Sequence, residues 1–346
     1  MAHAGHLYVV ATARKTHHLK PNIVIVGATE NARTLISQAL KTRHLNILGV
    51  FDERASRAPS EILGVPVLGD LDTMADHKIL PTIDRIVIAV PAAAEARVGQ
   101  LIEKLRVLPN TVTLFVDIED DTTRHAFEQI GQAPLAQQGD TGASMSDLVA
   151  KRYLDVIVSV VAIILAAPVM LAIAIAIQLE DGGPVLFRQR RHGFNNEEIS
   201  VWKFRSMRVA ATDATASRQV SAGDDRVTRT GRFIRATSLD ELPQFFNVLT
   251  GQMSVVGPRP HAIGMKSAGQ ETSRLVREYA WRHRVKPGVT GWAQINGSRG
   301  PVETPEAVRR RVELDVDYIR RQSILLDLYI ILMTVPRLLG DRHAVR

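Results

Sequence analysis

Two adjacent carboxylates mark Ser238-Leu239-Asp240-Glu241-Leu242-Pro243-Gln244, in a basic stretch that follows a long apolar segment. Neighbouring acids among guanidinium groups suit the handling of a phosphate ester, with one acid attacking phosphorus and the other holding a divalent cation. The same stretch also reads as a helix N-terminus, with Ser238 as cap, Asp240 and Glu241 complementing the dipole and Pro243 in an early turn. Arg226, Arg229, Arg232 and Arg235 line the approach at a spacing that puts them around successive turns, although Arg226 and Arg229 equally suit a solvated face. Upstream, Val201-Trp202-Lys203-Phe204-Arg205-Ser206-Met207-Arg208 alternates aromatic with basic residues, so one strand face packs while the other presents cations. Downstream, Gly257-Pro258-Arg259-Pro260 fixes an arginine between prolines. A guanidinium held in this way grips phosphate in bidentate fashion at little ordering cost; a plain tight turn is the alternative. The glycine-punctuated run from Lys286 to Gly297 has the polar tips of a loop that lines a site.

The totals narrow the partners. At 346 residues the chain can bury two separate cores, and its formal charge of +7 favours an anionic partner: phospholipid, nucleotide or nucleic acid. Nucleic acid is disfavoured, because the basic residues are not interleaved with exposed aromatics in any nucleic-acid-binding module. The absence of cysteine excludes disulfides and thiolate metal sites and fits a reducing compartment. Leu7 to Ala13 is too short, and too soon interrupted by Arg14 and Lys15, to be a secretory signal; residues 1–20 read as a flexible terminus.

Residues 21–130 alternate strand and helix. Asn22-Ile23-Val24-Ile25-Val26-Gly27, Ile47 to Asp52, Arg85 to Val90 and Thr111 to Val116 are apolar strand runs, with helices over 32–41 and 92–107. That order predicts an α/β, Rossmann-like domain built on a parallel sheet. Gly27 and Asp52 stand at the strand ends where a dinucleotide fold uses them, but Gly27-Ala28-Thr29-Glu30-Asn31-Ala32 keeps only the first glycine of that fingerprint. A ligand-sensing or assembly module is the better reading. Gly, Gln, Ala, Ser and Thr dominate from Gln129 to Ser146, which predicts a linker over 131–148 and a second, α+β domain over 149–346.

The second domain opens with Val156 to Ile177, a run without charge that is long enough for a membrane helix and contains Pro168. A core helix is the alternative, although few soluble helices are apolar on every face. Lys151 and Arg152 precede the run, and Arg188, Arg190, Arg191 and His192 follow it. Basic residues favour the cytoplasmic side, and here they flank both ends. A re-entrant helix over about 153–179, broken at Ala167-Pro168, satisfies both flanks; each arm of about 15–18 Å would cross roughly one leaflet. Near the carboxyl end, Glu303–Arg321 reads as a charged helix. Ser323–Leu339 carries a wide apolar stripe that suits either a membrane interface or a core.

Taken in order, the apolar segment with its proline, Lys203-Phe204-Arg205-Ser206-Met207, the acid-pair stretch, Gly257-Pro258-Arg259-Pro260 and Thr290-Gly291-Trp292-Ala293-Gln294-Ile295-Asn296-Gly297 make the chain from about Lys151 to Val335 resemble the bacterial sugar transferases. These are monotopic phosphoglycosyl transferases that load a sugar phosphate onto polyprenyl phosphate. The amino-terminal half resembles the Rossmann-type domain of the larger members. The resemblance implies that Asp240 attacks the β-phosphorus of a UDP-sugar, expels UMP and carries the sugar phosphate until undecaprenyl phosphate accepts it. It implies Mg²⁺ on Glu241 and a substrate site formed by Lys203, Arg205, Arg235, Pro258 and Arg259. UDP-glucose or UDP-galactose is the implied donor, on the cytoplasmic face of the bacterial inner membrane among phospholipid, at the first membrane step of exopolysaccharide, capsule or O-antigen synthesis. A homodimer through the Rossmann-like domain is compatible with it.

The chain departs from the family pattern in three respects. Ala167 stands where the family commonly has Ser before the proline, so no hydroxyl is there to satisfy a freed carbonyl. The larger members carry membrane helices ahead of the Rossmann domain, and none is read here. The loop at Gly297-Ser298-Arg299-Gly300 has an extra residue, so Arg299 receives no role. A membrane-anchored nucleotide sensor or scaffold with a degenerate transferase domain is the competing reading; unlike an enzyme, it would tolerate Asp240→Asn.

Overall fold

The computed structural model describes residues 20–43, 45–54, 57–75, 77–90, 95–115, 145–208, 224–263, 266–267, 270–300, 302 and 304–340. The expected flexible terminus, except Lys20, and residues 131–144 of the expected linker lie outside the described residues. The chain divides into two compact units, one up to Met145 and the other from Ser146 onward.

The first unit is an α/β layer structure. Its elements are β1 (Asn22–Val26), α1 (Glu30–Thr42), β2 (Asn46–Phe51), β3 (Glu61–Ile62), β4 (Val65–Gly69), α2 (Leu71–Met74), β5 (Arg85–Ile88), α3 (Glu95–Leu105) and β6 (Thr111–Leu114). The sheet order is β3-β4-β2-β1-β5-β6, parallel throughout except for the β3/β4 pair. The central strand shows why its sequence is apolar at every position. Ile23 and Ile25 face a cluster completed by Ala32, Leu35, Ile36 and Ala39 of α1, while Val24 and Val26 face one completed by Val98, Leu101 and Leu105 of α3. Alternate side chains thus meet helices on opposite faces of the sheet. The β3–β4 ribbon is an addition to the expected strands; Pro66 lies within β4, where the sequence pattern argues against a strand.

The second unit begins with α4 (Met145–Asp181), followed by a hairpin of β7 (Leu186–His192) and β8 (Glu198–Phe204). Then come α5 (Arg229–Ala236), a 3₁₀ turn at Leu239–Glu241, α6 (Gln244–Thr250) and β9 (Ser254–Val256). A short ribbon, β10 (Lys266–Ser267) with β11 (Gln270–Glu271), leads to α7 (Thr272–Leu275) and a 3₁₀ segment at Arg277–Arg284. The chain closes with β12 (Gly288–Thr290), α8 (Trp292–Ile295), α9 (Pro305–Arg321) and α10 (Ile324–Gly340). Strand β12 pairs in parallel with β9.

Helix α4 is long and apolar enough to cross a membrane by length and composition. It continues through Ala167 and Pro168, where the sequence led us to expect a break. A proline removes one hydrogen bond and crowds the preceding turn, and helical geometry can resume on the far side. Both ends of α4 are docked on the same unit. At its start, Lys151 Nζ donates to Asp327 (2.6 Å) and to the Val256 carbonyl (3.1 Å), Arg152 donates to the carbonyls of Val248 and Leu249, and Asp155 accepts from Ser254 Oγ and Val255 N. At its finish, Ile173 and Ile177 pack with Phe204 and Ile234, and Glu180 accepts the Arg229 and Thr230 amides at the start of α5. Between these anchorages the helix is apolar yet open, with Ile164, Leu165 and Leu171 66, 73 and 63% exposed. Helix α10 likewise buries Asp327 and Ile330 and exposes Leu325, Leu332 and Val335.

Candidate active site

The acid pair lies in the 3₁₀ turn that precedes α6, with Asp240 and Glu241 6 and 7% exposed. The arrangement is not a capped helix start. Ser238 is left-handed (φ 57°) and makes no cap bond; its Oγ instead accepts from Arg299 Nη2 (2.6 Å). Arg299, which the sequence left without a role, is therefore tied to the turn that carries the acids. The signal available beforehand was its place in a glycine-rich loop.

Three elements bring cations to the pair. In the hairpin, the register Gln189↔Val201 and Arg191↔Ile199 shows that Gln189, Arg191 and Lys203 share the face bearing the buried Ile199 and Val201. From there Lys203 Nζ donates to Glu241 Oε1 (3.0 Å). Arg259 grips the same carboxylate from the loop after β9, with Nη1 on Oε2 (2.9 Å) and Nη2 on Oε1. Burial pushes Lys203 below its ordinary pKa, offset in part by Glu241 and Asp240. Burial acts on Arg259 in the same direction, but Glu241 more than offsets it and the net shift is upward. Arg191 adds a third cation, pushed down to about 10 by burial and by neighbouring Arg259.

The loop holding Arg259 has its polar groups fixed from three sides. The Gly257 amide donates to the Thr290 carbonyl, and the Pro258 carbonyl accepts from the Gly288 amide. Arg282 Nη2 donates to the Arg259 carbonyl (2.7 Å), Arg191 Nη1 to the Pro260 carbonyl, and the His192 amide to the His261 carbonyl. A Cβ on Gly257 would stand 2.4 Å from the Lys286 carbonyl, so only glycine allows this approach. Arg282 is itself anchored on Asp315 (2.7 Å). The sequence reading gave Arg191 only a place in the basic flank of the apolar run and did not single out Arg282. His261 and His283 are held well below the ordinary histidine value by burial and by surrounding arginines, so they do not add to the positive charge.

The remaining expected residues divide. Arg235 reaches Ser206 Oγ (3.3 Å), at the end of the strand that carries Lys203. Pro258 is buried in the Arg259 loop. Arg205 does not join them: its guanidinium is buried and committed to Asp181 (3.4 Å) and the Gly182 carbonyl, at the end of α4. Arg205, expected among the substrate contacts, is thus not brought to the acid pair. Ala167 and Pro168 are exposed in the open middle of α4.

The donor set suits one class of metal. Among the described residues no group of three or more His, Asp or Glu could hold an ion unaided. The adjacent carboxylates are hard oxygen donors of the kind Mg²⁺ uses alongside substrate phosphate and water, so the residues fit Mg²⁺ only with a phosphate ligand present.

Comparison with known proteins identifies both units. The bacterial sugar transferase family profile matches residues 146–341, and a CoA-binding domain profile matches residues 3–115. In the first unit Asp52, just past β2, accepts from the Ala28 amide (2.6 Å) and the Arg54 amide (2.7 Å). The UDP-glucose:undecaprenyl-phosphate glucose-1-phosphate transferase of Xanthomonas campestris pv. campestris is 42% identical over 306 residues, covering 87% of this chain and 62% of the relative. The undecaprenyl-phosphate glucose phosphotransferase of Komagataeibacter xylinus is 39% identical over 346 residues, 97% of this chain and again 62% of the relative. An exopolysaccharide production protein of Rhizobium leguminosarum bv. phaseoli is 48% identical over 189 residues, 55% of this chain and 94% of its own length. The chain therefore spans about three fifths of the first two relatives. With a buried acid pair, its cationic surround and a family match from the first residue of the second unit to residue 341, the chain belongs to the bacterial sugar transferase family.

Proposed function

We propose that this protein transfers glucose 1-phosphate from UDP-glucose to undecaprenyl phosphate, releasing UMP, as the first membrane step of exopolysaccharide synthesis. The observation that carries the reading is the buried Asp240-Glu241 pair set among Lys203, Arg259 and Arg191. A carboxylate oxygen of Asp240 attacks the β-phosphorus of the donor, and the bond from that phosphorus to the bridging oxygen breaks, so that UMP leaves with the oxygen. An oxygen of undecaprenyl phosphate then attacks the same phosphorus and returns Asp240 to its carboxylate form, giving undecaprenyl-diphosphate glucose. Splitting the transfer lets a water-soluble donor and a lipid acceptor use the site in turn. Lys203 and Arg259 stabilise charge on the transferred phosphoryl group. Glu241 would hold Mg²⁺, which would offset the diphosphate charge. Glucose is chosen over galactose because the names of the Xanthomonas campestris and Komagataeibacter xylinus relatives specify glucose.

The membrane reading rests on α4. A helix that spans the bilayer carries its ends to opposite sides of a core about 30 Å thick. Here both ends dock on one compact unit while the apolar middle stays open, which supports a helix that dips into one leaflet near Pro168 and returns. The basic residues flanking both ends favour the cytoplasmic face. The chain has no cysteine, so single cysteines at Ser146 and Arg190 can be labelled in intact cells; opposite accessibility would overturn the one-sided topology.

The transfer is tested by UMP release from a panel of UDP-sugars with undecaprenyl phosphate and Mg²⁺. UDP-glucose should be the best donor, and radiolabelled sugar should be trapped on the protein when the acceptor is withheld. Persistent UMP release by Asp240→Asn would refute the covalent route.

A further inference from the structure

Both oxygens of the carboxylate expected to hold the metal accept from protein cations. Glu241 Oε1 accepts from Lys203 (3.0 Å) and Arg259, and Oε2 accepts from Arg259 (2.9 Å). The side chains of Glu241, Lys203 and Arg259 are 9, 15 and 17% exposed, so water does little to replace a partner that leaves. A dication cannot take either oxygen at full strength while these contacts stand.

The local charge balance points the same way. Lys203, Arg259 and Arg191 interact with one another and with Glu241, and Lys203 and Arg259 also with Asp240. Three cations against two carboxylates leave this set positive before Arg235 and Arg299 are counted. A bare dication approaching it meets repulsion. A diphosphate carrying a dication brings about as much negative as positive charge, and its oxygens offer Lys203 and Arg259 the charge-assisted, bidentate partner they lose on leaving Glu241.

We propose that Glu241 exchanges partners when the donor binds: Lys203 and Arg259 move from Glu241 to the diphosphate, and Glu241 is passed to the divalent cation, so that metal enters with the nucleotide and not ahead of it. This rests on the transfer reading for the identity of the diphosphate, and it adds an order of binding that the reading does not require. No buried ion is left without a counter-charge during the exchange, which is the costly outcome in a site of this depth.

The test uses the full chain in lipid nanodiscs with Mn²⁺ as the probe, bound and free ion being separated by electron paramagnetic resonance. Without nucleotide, wild-type protein should bind Mn²⁺ weakly; UDP should tighten binding at least about tenfold beyond the Mn²⁺–UDP complex in solution, the scale set by removing one like charge from beside the ion. Arg259→Gln should tighten nucleotide-free Mn²⁺ binding by at least about tenfold on the same ground, and adding Glu241→Gln should abolish that gain. Equal Mn²⁺ affinity in wild type with and without UDP overturns the exchange, as does an Arg259→Gln protein with unchanged nucleotide-free affinity or a gain that survives Glu241→Gln. Should Arg259→Gln fail to fold, the wild-type comparison alone decides. Failure of the transfer reading is separate: no UMP from any UDP-sugar, with UDP-linked Mn²⁺ binding intact, refutes the reaction and leaves the exchange standing.

Discussion

Replacing Arg282 by Met tests the buried support of the site most directly. Its guanidinium donates to Asp315 and to the Arg259 carbonyl, and the Arg282 and Asp315 side chains are 1 and 2% exposed. Breaking a buried pair on one side costs about 3–5 kcal/mol, because the remaining charge stays desolvated. Arg311 still faces Asp315 electrostatically, which favours the lower end, about 3 kcal/mol. At about 2–4 °C per kcal/mol for a unit of this size, the apparent Tm should fall by roughly 6–12 °C. The loss should also depend on pH. Burial raises the Asp315 carboxyl above its ordinary value, with Arg282 and Arg311 offsetting part of that effect. A raised carboxyl pKa means that the folded state holds the proton more tightly than the unfolded state. Its contribution to stability is therefore full at low pH and is lost as pH rises from the unfolded value through the folded one. Removing Arg282 raises the folded value further, so the Tm deficit should shrink as the pH is lowered. Scanning fluorimetry of the detergent-solubilised chain measures both effects. A Tm within about 2 °C of wild type, or a deficit that does not change with pH, would refute the reasoning. Arg282→Lys, which keeps the charge without the fork, should recover part of the Tm and leave kcat low with KM little changed.

Asp240→Asn should lower UMP release by at least about 10³-fold, as loss of a nucleophile does, with the protein still in the membrane fraction. Gly257→Ala forces a methyl against the Lys286 carbonyl and should cost about 1–3 kcal/mol by overpacking, with activity lost through displacement of Arg259; thermal unfolding and UMP release read the two separately. Glu180→Ala removes the acceptor for the first amides of α5 and should cost about 1 kcal/mol; Glu180→Gln should restore most of it, because the amide oxygen still accepts.

How much of this was legible in the sequence follows from the range of the interactions involved. The parallel sheet was readable because β1, β2 and β5 carry apolar residues on both faces, a consequence of local burial. The β3–β4 ribbon was hidden by its length and by Pro66. The acid pair was visible as chemistry, but its 3₁₀ turn depends on Arg299, sixty-one residues further along the chain. Nothing local announces Asp181 as the partner of Arg205. Arg191 stands in the run Arg190-Arg191-His192, and its place opposite Ile199 emerges only once the hairpin pairs; Arg282 sits in a 3₁₀ segment whose partners are equally distant in sequence. Asp327 was conspicuous as a lone acid in an apolar stripe, and its partner Lys151 lies 176 residues away.

The polar roots of α4 bear on how this protein can be handled. Its first turns fasten β9 immediately ahead of the Arg259 loop, and its last residues fasten Arg205 and the start of α5. Cutting the helix away to obtain a detergent-free protein would therefore strip Asp327 and Arg205 of ionic partners inside the protein and loosen the segments that carry Arg259 and Lys203. A soluble form has to be sought by recolouring the open middle of the helix, around Ile164 and Leu165, with polar side chains while its roots are left in place.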